Sequence, residues 1–253
     1  MICPKCEFEQ EDKITECLKC GIIFEKYKRH KNINLETNTP IDTTIIEIND
    51  QEIKFIDFAK ELLFFVEAEI SPVNWGGRII FFLIIFIWGC KFILTPLENN
   101  YAGNCFLHLV NLPFHETGHI IFRPFGHIIM SLGGSLAQLI MPLICLVVFL
   151  IKTRDPFAAS VCLWWFGENF MDIAPYMNDA RDLTLPLLGG NTGMTSPYGF
   201  HDWEFIFTEL GLLQYDHLLA SITQILGIIL MIVSFVWSVY LIVKQYKNLV
   251  KHI

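Results

Sequence analysis

The sequence predicts an all-α polytopic membrane protein, with about five transmembrane or re-entrant segments, preceded by a small N-terminal domain built on four cysteines. Two observations support this fold class. Long apolar runs recur through the later part of the chain, and two Cys-x-x-Cys pairs lie within its beginning. The 253 residues are 53% hydrophobic and only 17% charged, which exceeds the roughly 45–50% apolar content of a soluble domain.

Residues 1–28 are predicted to form a zinc ribbon. The segments "CPKC" and "CLKCG" resemble the knuckles of rubredoxin-type ribbons, and two knuckles supply the four thiolates that a tetrahedral structural zinc requires. The alternative is two disulfides, which need an oxidising compartment. The basic stretch at 26–31 favours a cytoplasmic location instead. The predicted ligands are Cys3, Cys6, Cys17 and Cys20.

The next two segments connect this domain to the apolar runs. Residues 29–50 are polar, poor in aromatic side chains, and predicted to be a linker. Residues 51–72 place their apolar side chains near one stripe, which predicts an amphipathic helix. Such a helix either lies on the membrane surface or binds a partner. Residues 73–253 then form the predicted membrane-embedded domain.

Three runs in this domain are long enough to cross a bilayer, which takes about 20 residues. They are Ile79–Leu97, His127–Ile151 and Leu218–Val243. Two weaker segments, Asn99–Phe122 and Phe157–Met177, lie between them. Five complete crossings would place the basic C-terminal tail opposite a cytoplasmic ribbon, against the positive-inside tendency. One weak segment is therefore either re-entrant or an interfacial helix.

The first weak segment contains "HETGH", with His115, Glu116 and His119. In a helix, positions i and i+4 project from the same face, so both imidazoles can bind one zinc ion. Glu116 is then placed to take a proton from a metal-bound water. The alternative is that the three polar side chains pair with one another inside the bundle. Ionisable groups at membrane depth are costly and mark functional sites, which favours a catalytic zinc.

A catalytic zinc usually has three protein ligands, and the stretch 164–182 offers two carboxylates for the third position. Asp172 is embedded among apolar residues, where an unpaired carboxylate is costly, and it is the preferred ligand. Asp179, seven residues later on the same helical face, is the alternative. His201 follows a Gly-rich stretch and is either a ligand, a substrate contact or a loop residue. Glu168 and Asn169 lie one turn before Asp172 and either orient it or contact substrate.

This combination resembles the site-2 protease family of intramembrane zinc metalloproteases over about residues 99–180. The resemblance rests on a membrane-embedded His-Glu-x-Gly-His followed two segments later by Asn169, Pro175 and Asp179. It implies that the histidines and an aspartate hold zinc and that Glu116 is the catalytic acid and base. The family's later motif has different spacing, with Asp-Gly where this chain has Asp-Ala, which suggests a distant branch. The resemblance also implies a strand or re-entrant segment at 122–138.

The expected activity is therefore hydrolysis of peptide bonds in membrane-spanning or juxtamembrane substrates, with one catalytic and one structural Zn²⁺. The ribbon would recognise a substrate or regulator. The alternatives are a membrane zinc hydrolase acting on a lipid or small molecule, and a non-catalytic scaffold with a vestigial site. A net charge of −8 without a basic block excludes nucleic acid as an expected partner. The expected location is a bacterial inner membrane with the ribbon in the cytoplasm; the sequence does not indicate an oligomeric state.

Overall fold

A computed structural model describes residues 1–6, 8–9, 15–20, 22–24, 56–67 and 70–250. The predicted linker at 29–50 lies outside the described residues, as do parts of the predicted ribbon and of the predicted amphipathic helix. The chain divides into two compact units, Met1–Ile56 and Asp57–Ile253. In the described residues the regular structure is helical and strand pairing is limited to isolated bridges, which confirms the all-α class at this level.

The larger unit is built from six helices in its residues 70–250. They are α1 (Pro72–Leu94), α2 (Phe106–Phe122), α3 (His127–Ile151), α4 (Pro156–Asn178), α5 (Asp202–Glu209) and α6 (Asp216–Val250). Short 3₁₀ turns at Leu97–Asn99, Arg123–Phe125, Gly193–Thr195 and Leu213–Tyr215 connect them. Residues 56–64, within the predicted amphipathic segment, are helical as well.

Three stretches among the described residues are long and apolar enough to cross a membrane, namely Pro72–Leu94, His127–Ile151 and Leu213–Leu249. They coincide with the three long apolar runs of the sequence, so the prediction of membrane-spanning helices is confirmed by length and composition. The two weaker segments also form helices, α2 and α4, but they are not among these three.

Local sequence explains where two of the helices begin. The side chain of Asp155 accepts hydrogen bonds from the amides of Phe157 and Ala158 at the start of α4, and Pro156 occupies the first helical position. Both features are favourable at a helix N-terminus. Between α2 and α3 the chain reverses at Gly126, whose φ of 95° is accessible mainly to glycine.

The segment at 122–138 does not form a strand. A turn at Arg123–Phe125 leads directly into the continuous helix α3, so the strand alternative is wrong, and the re-entrant alternative stays a prediction. Two glycines allow α2 and α3 to pack closely, because a Cβ on Gly118 would clash with the carbonyl oxygen of Gly133. Helices α2 and α3 therefore touch backbone to backbone, and this contact brings the histidines of α2 against α3.

The four long helices α1, α3, α4 and α6 have their termini at two ends of the larger unit. At the first, which we call the terminal end, Arg78 pairs with Asp155 at 2.9 Å, and the Trp75 indole donates to the carbonyl of Ile242 at 3.1 Å. Residues 56–67 lie here too, because Trp237 donates to the carbonyl of Leu63 at 2.9 Å. The terminal end thus holds the starts of α1 and α4 and the ends of α3 and α6.

The opposite end, which we call the loop end, holds the connection 179–215 between α4 and α6. Arg181 binds Asp216 there at 2.8 Å, and Asn178 contacts His217 at 2.9 Å. Leu97 and Leu132 pack on the same apolar cluster as Met177 and Leu219. This places the end of α1 and the start of α3 at the loop end.

Helix α2 differs from these four because it is joined to the loop end on both sides. The connection 95–105 leaves α1 at the loop end, and the turn 123–126 enters α3 there. Within residues 70–250 the chain therefore runs from end to end four times, and α2 is an additional segment. Lys244 and Asn248, near the end of α6, contact the carbonyl oxygens of Phe64 and Glu67 at the terminal end.

Candidate metal centres

The first candidate centre consists of Cys3, Cys6, Cys17 and Cys20, whose sulfur atoms all lie within 4.8 Å of one another. The Cys3 and Cys20 sulfurs are 3.7 Å apart, and the Cys6 and Cys17 sulfurs are 3.6 Å apart. A disulfide requires about 2.05 Å, whereas the edge of a tetrahedron with Zn–S bonds of about 2.3 Å measures about 3.8 Å. The geometry therefore fits four thiolates around one metal ion.

Each Cys-x-x-Cys pair lies on a tight turn with matching backbone contacts. The amide of Cys3 donates to the carbonyl of Phe8, and the amide of Cys17 donates to that of Ile22, both at 2.9 Å. An isolated antiparallel bridge also closes each turn, between Ile2 and Glu9 in the first and between Glu16 and Ile23 in the second. Cys3 and Cys17 are buried. Two equivalent knuckles thus present their cysteines to each other, as the sequence predicted.

The second candidate centre combines His115, His119 and Asp202. The two histidines lie one turn apart on α2, with ring centroids 4.8 Å apart. Their Nε2 atoms lie 3.2 and 3.4 Å from the same Oδ2 of Asp202. Two imidazole nitrogens and one carboxylate oxygen converging on one point form a donor set typical of a catalytic zinc.

Hydrogen bonds on the far side of each ring fix the orientation of the histidines. The Nδ1 of His115 lies 2.7 Å from Oε1 of Gln138, and the Nδ1 of His119 lies 2.9 Å from the carbonyl oxygen of Met130. Carbonyl oxygens only accept hydrogen bonds, so both Nδ1 atoms carry the proton. In the neutral form of each imidazole the Nε2 lone pair then faces Asp202, which is the arrangement of metal-ligating histidines.

Gly134 of α3 leaves open the space that a metal ion would need. A Cβ at this position would lie 2.6 Å from Nε2 of His115 and 2.7 Å from Nε2 of His119. Zinc binds imidazole nitrogens at about 2.0–2.1 Å. The missing side chain therefore opens a space beside both ligand atoms, and the residues present fit a metal ion.

Asp202 is held in place by the residues around the start of α5. The imidazole Nδ1 of His201 accepts a hydrogen bond from the amide of Glu204 at 3.1 Å and so caps this helix. The amide of Asp202 donates to the hydroxyl of Tyr176 at 3.0 Å, and that hydroxyl lies 3.4 Å from Oδ2 of Asp202. Asp202 is itself buried, so its carboxylate has a fixed direction towards the histidines.

Asp172, the preferred third ligand in the sequence analysis, has other partners. Its Oδ1 lies 2.9 Å from Nδ1 of His108, and its Oδ2 accepts from Asn111 at 3.3 Å. In the described residues the third member of the candidate metal-binding group is Asp202, and Asp172 is not part of that group. Asp172 is connected to the centre through Gln138. The Nε2 of Gln138 donates to Oδ2 of Asp172 at 3.5 Å, and the Oε1 of Gln138 accepts from His115.

Glu168 and Asn169 are fully buried but are not members of the metal-binding group. Asn111 donates to Glu168 at 3.0 Å, and Asn169 donates to the carbonyl of Trp165 at 2.9 Å. Asn111 therefore links Glu168 to Asp172 in one polar network. Whether either residue contacts substrate stays a prediction.

Asp179, the alternative ligand, organises the connection after α4. It accepts hydrogen bonds from the amides of Thr184 and Leu185, both at 2.9 Å, and its Oδ2 lies 3.5 Å from Nε2 of His201. Burial raises the pKa of Asp179, but the hydrogen bonds from His201 and from these amides hold that pKa below its ordinary value. His201 is fully buried and links Asp179 to the cap of α5.

Glu116 lies between the two histidines on α2 and is half-buried. The sequence analysis named both histidines but not Asp202. The only signal for Asp202 was local: "GFHDWEF" places a carboxylate at the start of a short helix after a Gly-rich stretch. Surface helices often begin in this way, so the pattern does not distinguish a ligand from an ordinary helix start.

Comparisons of the chain with family models, with curated proteins and with solved structures find no match.

Proposed function

We propose that this protein is an intramembrane zinc hydrolase that cleaves peptide bonds. The observation that supports this most is the convergence of two histidine nitrogens and one carboxylate oxygen in a largely buried cluster, with Glu116 beside them. Two histidines and one carboxylate leave a fourth position for water or substrate. The four-cysteine centre has no such position and is proposed to hold a structural zinc.

The residues have separate roles in this proposal. His115, His119 and Asp202 would hold the catalytic zinc, which when bound lowers the pKa of a coordinated water to about 7. Glu116 accepts the proton of the attacking water and passes it to the leaving amine, so that no net proton is consumed by the glutamate. Gln138 and Met130 orient the two imidazoles so that their Nε2 atoms would be available to hold the zinc.

Peptide hydrolysis within or beside a membrane is favoured over other hydrolyses for two reasons. The centre is built between helices that include a candidate span, α3, so a membrane-spanning or juxtamembrane polypeptide is the expected substrate. The His-Glu-x-Gly-His sequence also resembles that of site-2 proteases. Recognition of a substrate or regulator by the cytoplasmic ribbon remains part of the proposal.

The experiment that tests this function compares membrane-protein fragments in cells carrying the wild-type chain or the Glu116→Gln variant. The amide keeps the size of the side chain but cannot accept the proton of the water. We expect fragments that are present with wild type to disappear and their uncleaved precursors to remain bound to the variant. Glu98→Gln, at an exposed position of the turn after α1, is the matched control.

Identical fragment patterns in wild-type and Glu116→Gln cells would contradict peptide hydrolysis. Loss of a lipid or small-molecule product in the variant, with unchanged peptides, would instead identify a zinc hydrolase of another class.

A further inference from the structure

The two ends of the membrane-embedded unit differ in charge. Among the described residues, the terminal end carries six Lys or Arg and four Asp or Glu. The loop end carries three Lys or Arg and seven Asp or Glu. The cations of the terminal end are Lys60, Arg78, Lys152, Arg154, Lys244 and Lys247. The acids of the loop end are Glu98, Asp179, Asp182, Asp202, Glu204, Glu209 and Asp216.

This asymmetry defines an orientation. Short segments rich in Lys and Arg beside membrane helices stay on the cytoplasmic side, and acidic residues contribute little to that choice. All six cations of the terminal end lie in such short segments or in the adjoining helix turns. The terminal end therefore faces the cytoplasm and the loop end faces the other side.

The second metal centre lies near the loop end. Gly134, whose missing side chain opens the space beside both histidines, is seven residues from the start of α3 and 17 from its end. At about 1.5 Å per residue these separations are about 10 Å and about 25 Å. Tyr176, which holds Asp202, is two residues from the end of α4. The ligand Asp202 itself follows the loop-end connection.

We infer that the metal centre works from the non-cytoplasmic side of the membrane, on a polypeptide segment within about the first third of the bilayer on that side. This inference rests on the proposed function for the substrate class, and on charge and helix connections for the orientation.

The orientation is tested with single added cysteines and a membrane-impermeant maleimide on spheroplasts. Met194→Cys reports the loop end, where this side chain is 71% exposed, and Lys247→Cys reports the terminal end. Labelling is scored as the increase over the parent chain, which has eight cysteines. We expect Met194→Cys to label in intact spheroplasts and Lys247→Cys only after permeabilisation. The opposite order, or equal labelling, contradicts the orientation.

Zinc removal tests the position of the centre separately. A Cys3→Ser/Cys6→Ser chain, which retains only the second centre, is placed in right-side-out and inverted vesicles and exposed to an impermeant chelator. We expect at least tenfold faster zinc loss from right-side-out vesicles, and equal or reversed rates contradict the inference. A chain that labels as expected but contains no zinc contradicts the proposed function and leaves the orientation standing.

Discussion

The two candidate metal centres are assembled in different ways. The four cysteines lie within 18 consecutive residues and are positioned by two similar turns, so the centre can be recognised from spacing alone. The second candidate centre takes its residues from α2 and α5, which are separated by about 80 residues of intervening chain, and depends on α3 and α4 for orientation. A closed centre of four thiolates stabilises a small fold, whereas an open one that depends on several helices suits catalysis.

The largest effect is expected for Asp202→Ala. Removing one of three ligands should empty the second centre and abolish hydrolysis, because two histidines alone bind zinc weakly. Zinc content after dialysis is the measurement, and the expected value falls from two per chain to one. Glu209→Ala, at the other end of the same helix, should keep both zinc ions. Two zinc ions in Asp202→Ala would return the third-ligand role to another residue.

Gly134→Ala should also remove the second zinc without touching a ligand. The added methyl group would occupy space 2.6–2.7 Å from both histidine nitrogens, closer than carbon and nitrogen atoms pack. Gly77→Ala in α1 is the matched control, since a Cβ there meets nothing within 4 Å. Zinc content and the melting temperature in detergent distinguish loss of metal from loss of fold. Full zinc content in Gly134→Ala would show that the metal lies elsewhere.

Asp172→Asn should have a smaller effect on the same centre. The substitution weakens the hold on Gln138, which orients His115, and loss of such supporting hydrogen bonds typically lowers metal affinity or activity by about 10–100-fold. A competition titration with a zinc chelator measures the shift. Complete loss of zinc would instead restore Asp172 as a direct ligand, as the sequence first suggested.

The smallest expected effect is that of Asp179→Asn, which acts on the connection that leads to α5. Because hydrogen bonds hold the pKa of Asp179 below its ordinary value, its stabilising contribution is fully present above about pH 4 and is lost as pH falls further. We expect the free energy of unfolding to fall by about 1–2 kcal/mol at pH 7. This difference between variant and wild type should become smaller below about pH 4. Thermal unfolding measures both, with exposed Asp182→Asn as the control; a pH-independent difference would contradict this role.

The contrast between the centres also explains what the sequence could reveal. Helix periodicity placed His115 and His119 on one face, and apolar runs located α1, α3 and α6 to within several residues. Asp202 could not be found in this way, because its position depends on how the connection 179–201 folds back over α2. The sequence favours Asp172 as the third ligand because it is embedded among apolar residues, where an unpaired carboxylate is costly. In the structure, His108 and Asn111 satisfy that carboxylate instead.

The number of segments that run from end to end could not be predicted from the sequence for a similar reason. Hydropathy detected five helical segments in the larger unit but did not show that α2 begins and ends with connections to the loop end. That result depends on contacts between distant residues, such as those of Leu97 and Leu132 with the cluster around Met177.

The most direct test of the second centre is zinc X-ray absorption on the Cys3→Ser/Cys6→Ser chain. With the four-cysteine centre disabled, one zinc per chain should remain, surrounded only by nitrogen and oxygen at about 2.0–2.2 Å. The imidazole signature of two histidines should be present, and Asp202→Ala in the same chain should remove the signal. A chain without zinc, or one whose zinc still shows sulfur at about 2.3 Å, would contradict a centre formed by His115, His119 and Asp202.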